Sequence, residues 1–233
     1  ASSEVFVAEP SGGAGCIGCH VSVSPDGKHI VGAGMTGAGG AIVGMIIDTD
    51  TRSITAIADT SPWNTGVYDP GGRLLTSYTA TGDLTLRDDD TAAPIATLAL
   101  GEPAAAPAIS PDGHSLAYAL MAAPEGGNPA GTALRVRPWD AASATVGPAI
   151  TVASAQGVLA PQFSSDGVWL VYARSTEPDE RGLIGIDVVR ADGSAAPIEL
   201  TTAAGDQLPR WMSPIAPARV GGRDPEAFAW IAF

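Results

Sequence analysis

The sequence contains little positive charge. Its 233 residues include 12 Lys and Arg against 25 Asp and Glu, and Lys28 is the single lysine. The formal net charge of -13 argues against a surface that binds the phosphates of nucleic acid, because the few basic side chains are scattered along the chain. We therefore expect no nucleic-acid partner.

Long apolar runs are also missing. The longest strongly apolar stretches, such as residues 41–47, are far shorter than the roughly 20 residues that a membrane-spanning helix needs. The sequence therefore predicts no transmembrane segment. With 45% hydrophobic and 16% charged residues, the chain can nevertheless bury a sizeable core.

The start of the chain and its composition bear on location. The chain begins at Ala1 rather than at Met, as a mature protein does after removal of a signal peptide, although an excised piece of a longer protein would begin in the same way. Abundant alanine, glycine and proline beside a single lysine indicate a bacterial genome rich in GC. We expect an exported bacterial protein in the periplasm or at the cell surface.

An internal repeat built around a Ser-Pro-Asp-Gly turn organises the chain. Three clear copies occupy residues 21–31, 107–118 and 161–172. A degenerate copy at residues 66–76 has Asp69-Pro70-Gly71-Gly72 at the turn, and a fifth copy pairs residues 210–214 with 228–233 around an insertion, 215–226. Proline presets φ, aspartate bonds to its own backbone and glycine accepts a positive φ, so each copy predicts two strands joined by a tight turn.

The spacing of the repeat predicts the fold. The turn glycines Gly27, Gly72, Gly113 and Gly167 are 41 to 54 residues apart, which is the length of one four-stranded propeller blade. We predict an all-β protein, a β-propeller of about five four-stranded blades at residues 16–60, 61–103, 104–154, 155–205 and 206–233. Residues 1–15 form an N-terminal strand and a glycine-rich loop. The strand, residues 5–9, completes the last blade and closes the ring; an incomplete ring is the alternative.

These Ser-Pro-Asp-Gly units resemble the WD40-like repeats of propellers similar to the TolB family. The resemblance covers nearly the whole chain from residue 16 onward. It implies a fold and leaves the function open.

One motif carries recognisable chemistry, Cys16-Ile17-Gly18-Cys19-His20. Cys-x-x-Cys-His is the attachment signature of haem c, in which two thiols add to the vinyl groups and the histidine coordinates iron. Cys16 and Cys19 are the only cysteines, and His20 is one of three histidines. The motif therefore predicts one covalently attached haem c, with His20 as the proximal iron ligand.

Three other interpretations of the cysteines stay open. A local Cys16–Cys19 disulfide is possible in an oxidising compartment. A zinc site would need a fourth ligand, and no second Cys or His pair follows in the sequence. A thioredoxin-like redox pair needs a helix N-terminus that this all-β pattern lacks.

The position of the motif suggests where the haem lies. We predict the first strand of blade 1 at residues 21–24, directly after His20, and first strands line the central channel of a propeller. The haem would then sit at a mouth of that channel. Met35, in a predicted glycine-rich loop after the second strand, is the tentative distal ligand; a packing role for Met35 and five-coordinate iron are the alternatives.

Several other polar or aromatic residues receive structural interpretations. His29 and His114 are expected to be exposed just after Asp-Gly turns. The acidic segments Asp48-Thr49-Asp50 and Asp88-Asp89-Asp90 are interpreted as solvated hairpin turns and not as calcium sites. Trp63 and Trp139 are the candidates for exposed recognition residues.

We predict a monohaem c-type cytochrome built on a propeller. It would transfer electrons, or act as the haem-bearing subunit of a redox assembly, with a redox protein or a neighbouring haem subunit as partner. The alternative is a haem-free propeller that binds a protein or glycan, with the two cysteines as a structural disulfide. No catalytic residues are identified.

Overall fold

The computed structural model describes residues 17–36, 41–57, 62–125, 130–176, 183–202, 210–212 and 230–232. These residues form strands, turns and bends, and they contain no helix. Accordingly, none of them forms a helix of the length and apolarity that a bilayer crossing requires. The predicted N-terminal strand at residues 5–9 and the insertion at 215–226 lie outside the described residues.

The strands form antiparallel sheets in chain order. Blade 1 contains β1 (Ile17–Val23), β2 (His29–Thr36), β3 (Ala41–Asp48) and β4 (Ser53–Ile57). Blade 2 contains β5 (Thr65–Tyr68), β6 (Leu74–Tyr78), β7 (Asp83–Arg87) and β8 (Pro94–Thr97). Blade 3 contains β9 (Ala104–Ile109), β10 (Ser115–Leu120), β11 (Gly131–Asp140), β12 (Thr145–Val146) and the first part of β13 (Ile150–Phe163).

The remaining strands form blade 4 and a further pair. Blade 4 contains the second part of β13, β14 (Trp169–Ser175), β15 (Leu183–Arg190) and β16 (Ile198–Thr201). The strands β17 (Arg210–Met212) and β18 (Trp230–Ala232) pair with each other, as the fifth repeat copy predicts.

The inner strands lie side by side in chain order. β1 lies next to β5, β5 next to β9, β9 next to β13, and β13 next to β17. The first four of these strands line a central cavity of about 190 Å³. This arrangement of successive sheets around a channel is a β-propeller, so the predicted all-β fold is confirmed.

The hydrophobic core is divided among the interfaces between blades. Alternating side chains of one strand point to opposite faces of a blade, so neighbouring residues join different clusters. Leu74 packs between blades 1 and 2, whereas Leu75 packs between blades 2 and 3. In the same way, Leu116 packs against blade 2 and Ala117 joins the cluster shared with blade 4.

The Ser-Pro-Asp-Gly turns share one hydrogen-bonded structure. In blade 3 the Ser110 hydroxyl donates to the Asp112 carboxylate and accepts from the Ser115 backbone amide at 2.9 Å. The same carboxylate accepts from the His114 amide. Blades 1 and 4 repeat this pattern from Ser24 and Ser164. The hydroxyl bond is the main cause that lowers the pKa of the aspartate in each turn.

In blade 2, the corresponding turn is one residue shorter. Asp69 replaces the serine, and its carboxylate accepts from the Arg73 amide at 2.8 Å. The Asp69 amide in turn donates to the Arg73 carbonyl. In the other turns a serine and an aspartate share these hydrogen bonds, whereas in blade 2 Asp69 alone accepts the hydrogen bond and carries the negative charge.

Trp63 and Trp139 are buried in the core, so neither candidate is an exposed recognition residue. Trp63 is 0% exposed and Trp139 is 3% exposed. Trp63 packs between blades 1 and 2, where a Cβ added to Gly44 would lie 1.8 Å from Trp63 Cε2. The Arg87 guanidinium lies 4.7 Å from the centroid of the indole ring. The segments around these tryptophans contain proline and look like loops, but neighbouring blades cover the rings.

Candidate functional site

The haem-attachment motif lies on the inner strand of blade 1. Cys16 is outside the described residues, and Cys19 and His20 lie within β1. The predicted start of this strand at residue 21 is wrong, because β1 already begins at Ile17 and pairs with β2 from there. Part of the motif is therefore strand rather than the loop that enters the blade.

The motif coincides with an irregularity in the pairing of β1. Gly18 pairs with Ala33 and Ser22 pairs with Val31, so residues 19–21 stand opposite the single residue Gly32. Such a bulge bends the strand and changes the direction of its side chains, and bulges are common at functional sites. Cys19 and His20 are both within this bulge.

Blades 3 and 4 carry a shorter bulge at the same place. Ala106 and Pro107 stand opposite Tyr118, and Ala160 and Pro161 stand opposite Tyr172. Blade 2 pairs without a bulge from Thr65 to Tyr68. Blade 1 therefore has one more bulged residue than blades 3 and 4, and this extra residue falls in the motif.

The bulges border the central channel. Ala106 and Ala160 have positive φ values of 48° and 45°, and both line the central cavity. Val21 and Ser22 line it from β1. Counted from Ser22, whose counterparts are Ala108 and Gln162, His20 takes the register position of Ala106 and Ala160. The backbone of the motif histidine therefore corresponds in register to two residues that line the channel in blades 3 and 4.

The residue opposite the bulge also distinguishes blade 1. In blade 3, the Tyr118 hydroxyl donates to Glu102 and accepts from Arg137 at 2.7 Å. In blade 4, the Tyr172 hydroxyl donates to Asp187 at 3.1 Å. Burial is the main cause that raises the pKa of both tyrosines, that of Tyr118 to about 12. Gly32 takes this position in blade 1, so the motif faces a backbone without a side chain.

Met35 lies in a strand, so its predicted position in a loop is wrong. It is the seventh residue of β2 and pairs with Ile42 of β3. Gly32 and Gly34 suggested a loop because glycine weakens strands, yet both pair in register with β3, and Gly34 also pairs with Ile17 of β1. Since Gly34 also pairs with Ile17, Met35 lies one residue beyond that pair, at the end of β2 beside the start of β1.

His29 and His114 occupy different positions relative to their turns, although both follow an Asp-Gly pair. The His29 amide donates to Ser24, as the Ser115 amide does to Ser110, so His29 corresponds to Ser115 and not to His114. His114 is exposed as predicted, but the His29 side chain is only 14% exposed. It is covered because the turn after β7, in the next blade, packs over it.

Two features of blade 1 were not predicted from the sequence. One is the bulge in β1, and the other is that Gly32 is the residue opposite this bulge. A signal for Gly32 was present, since the repeat aligns Val31-Gly32 with Ala117-Tyr118 and Val171-Tyr172. The bulge had no comparable signal, because its length depends on which residues pair across two strands.

Solved structures with this fold include three that match over most of the chain. A putative TolB from Agrobacterium tumefaciens has a TM-score of 0.57 and 20% identity, over 82% of this chain and 64% of that one. Hydrazine synthase from Kuenenia stuttgartiensis has a TM-score of 0.52 and 12% identity, over 82% and 68%. The dihydro-haem d1 dehydrogenase NirN, in complex with DHE, has a TM-score of 0.51 and 15% identity, over 84% and 40%.

These comparisons establish the fold alone. The chain spans less than two thirds of the TolB and NirN structures that it matches. No protein-family model and no curated protein matches the sequence. The expected resemblance to TolB-like propellers is confirmed at the level of the fold.

Proposed function

We propose that this chain is a c-type haem protein built on a propeller, which transfers electrons or serves as the haem-bearing subunit of a redox assembly. The observation that carries the proposal is the coincidence of the Cys-x-x-Cys-His motif with the enlarged bulge of β1. A periplasmic or cell-surface location is part of the proposal.

The local structure favours one position for the haem and disfavours another. Residues 19–21 stand opposite Gly32, whereas the matching bulges of blades 3 and 4 stand opposite a tyrosine. The central cavity of about 190 Å³ is smaller than the roughly 300 to 1,000 Å³ of ordinary cofactor sites. We therefore place the porphyrin outside the channel, at the mouth beside the start of β1.

Each motif residue has a defined task in this proposal. Cys16 and Cys19 would form the two thioether bonds, and His20 would bind the iron. Met35 would be the candidate for a second iron ligand, because the end of β2 neighbours the start of β1. When bound, the haem supplies one-electron transfer, while the protein sets its potential through ligation and burial.

The charge of the chain supports a protein partner with a basic docking surface. The formal net charge is -13, and complementary charge mainly speeds the encounter of two proteins. Electron transfer needs only a short-lived complex of this kind. A redox protein or an adjoining haem subunit is the proposed partner.

The test is production of the chain in a host with a cytochrome c maturation system. We expect the intact mass to increase by one haem and the Soret band to remain with the denatured polypeptide. Cys16→Ala and Cys19→Ala should each weaken attachment, and His20→Ala should remove the proximal ligand. His114→Ala is the matched control, because His114 is exposed on a turn of blade 3.

The same experiment identifies the alternative function. A haem-free chain whose mass is two hydrogens below that of the reduced polypeptide contains the Cys16–Cys19 disulfide. That result would support the propeller as a binding module for a protein or glycan.

A further inference from the structure

A histidine of blade 1 and two aspartates of blade 2 form a cluster away from the haem-attachment motif. His29 begins β2, and Asp89 and Asp90 lie in the turn between β7 and β8. His29 Nδ1 lies 3.7 Å from Asp89 Oδ2, and His29 Nε2 lies 3.6 Å from Asp90 Oδ1. One ligand atom from each residue can be chosen so that all three lie within 4.8 Å of one another.

The turn that carries the two aspartates is held by a third. The Asp88 carboxylate accepts from the backbone amide of Thr91 at 2.8 Å and from that of Asp90 at 3.2 Å. These bonds fix the backbone between β7 and β8. Asp88 caps the turn, and Asp89 and Asp90 are the residues of this acidic run that contact His29.

A buried tyrosine provides an independent sign of a ligand. Tyr68 is 7% exposed, and its hydroxyl is buried without a hydrogen-bond partner. A buried hydroxyl without a partner is costly, so it calls for an explanation such as an ion or its water. Burial, followed by the charges of Asp89, Asp26 and Asp90, raises the pKa of Tyr68.

The packing around Tyr68 shows where its ring lies. Its ring belongs to the cluster that contains Val31 of β2 and Ala92 of the turn after β7. Val31 is two residues from His29, and Ala92 is two residues from Asp90. Tyr68 therefore lies in the interface between blades 1 and 2, beneath the contact of His29 with Asp89 and Asp90.

We propose that His29, Asp89 and Asp90 bind one divalent transition-metal ion of the zinc type, and that this ion clamps blade 1 to blade 2. An imidazole nitrogen with two carboxylates suits zinc better than calcium, which prefers six to eight oxygen ligands. Water fills the remaining coordination positions. The Tyr68 hydroxyl, which has no partner among the protein groups, donates a hydrogen bond to that water, as outer groups around metal sites commonly do.

Calorimetric titration with zinc chloride tests the proposal. The full-length chain with Cys16→Ala and Cys19→Ala is used, so that thiols cannot bind the metal and haem plays no part. We expect one zinc ion per chain. His29→Ala and Asp89→Asn should each weaken binding at least about tenfold, and Tyr68→Phe should weaken it about tenfold, as loss of an outer-shell hydrogen bond does.

Matched variants separate a metal site from general surface binding. His114→Ala and Asp50→Asn alter a histidine and an aspartate on other turns, and both should leave the affinity unchanged. If His29→Ala fails to fold, Asp90→Asn provides the test of zinc affinity instead. The Asp90 side chain is 77% exposed, so its replacement leaves the core intact. Cobalt should show the visible absorption bands of a bound ion in the same background and lose them in Asp90→Asn.

Two results would overturn the proposal. One is the absence of zinc binding up to millimolar concentration, which would make the cluster a polar contact between the blades that holds no metal. The other is equal zinc affinity of Asp90→Asn and Asp50→Asn. Neither result bears on haem attachment, so the two proposals fail separately.

Discussion

Gly44→Ala tests how tightly blades 1 and 2 are locked by Trp63. The added Cβ would lie 1.8 Å from Trp63 Cε2, while real Cβ contacts under 3.0 Å essentially never occur. The ring must therefore move by about 1 Å, although it is fully buried and lies against the Arg87 guanidinium. Overpacking usually costs about 1 to 3 kcal/mol, and we expect the upper end, about 3 kcal/mol, because the ring is fully buried.

Gly32→Ala is the matched control on the neighbouring strand. Its added Cβ would lie 3.8 Å from Val21 Cγ2, which is an ordinary contact. Alanine also costs less backbone entropy than glycine in a strand, so the free energy of unfolding should stay the same or rise slightly. The comparison separates the effect of the Trp63 clash from that of adding a methyl group to blade 1.

A double-mutant cycle completes the test. Trp63→Ala alone should cost about 3 to 5 kcal/mol, but in that background Gly44→Ala should cost less than about 1 kcal/mol. Urea unfolding followed by far-UV circular dichroism measures all four proteins without relying on tryptophan fluorescence. Equal costs of Gly44→Ala and Gly32→Ala, or additive effects of Gly44→Ala and Trp63→Ala, would refute this packing argument.

Two further substitutions test the turns and the junction between blades. Ser110→Ala should lower stability by about 1 kcal/mol at neutral pH through its lost hydrogen bonds. Because the native pKa of Asp112 is depressed, its stabilisation is complete above the unfolded value near 3.9 and is lost at lower pH. The difference in melting temperature between the two proteins should therefore shrink from pH 7 to pH 3, and a constant difference would contradict the role of Asp112. Gly157→Ala should cost about 2 kcal/mol or more, because Gly157 has φ 83° and its Cβ would lie 2.2 Å from the Ser175 carbonyl oxygen; an unchanged urea midpoint would contradict this.

The fold could be predicted because its information is local and repeated. A Ser-Pro-Asp-Gly turn specifies its own geometry through proline, aspartate and glycine, and its recurrence reveals the blades. The strand Leu183–Arg190 and the pairing of residues 210–212 with 230–232 were predictable for the same reason. Each depends on residues close to a recognisable turn or repeat copy.

The details of the candidate site could not be predicted because they depend on distant contacts. Trp63 looks like a loop residue beside proline, and only the space above Gly44 in another blade explains its burial. His29 looks like an exposed turn residue until the turn containing Asp89 and Asp90 packs over it. Met35 looks like a loop residue because of its glycine neighbours, but pairing with β3 extends the strand through it.

The central claim is that Cys16, Cys19 and His20 hold haem c on the inner strand of blade 1. The most direct measurement is the intact mass of the chain made with a cytochrome c maturation system, compared with its Cys19→Ala variant. Our account predicts a gain of one haem that resists denaturation in the native sequence and is reduced or lost in the variant. An unmodified mass of the native chain, in a host that matures a control cytochrome c, would contradict it.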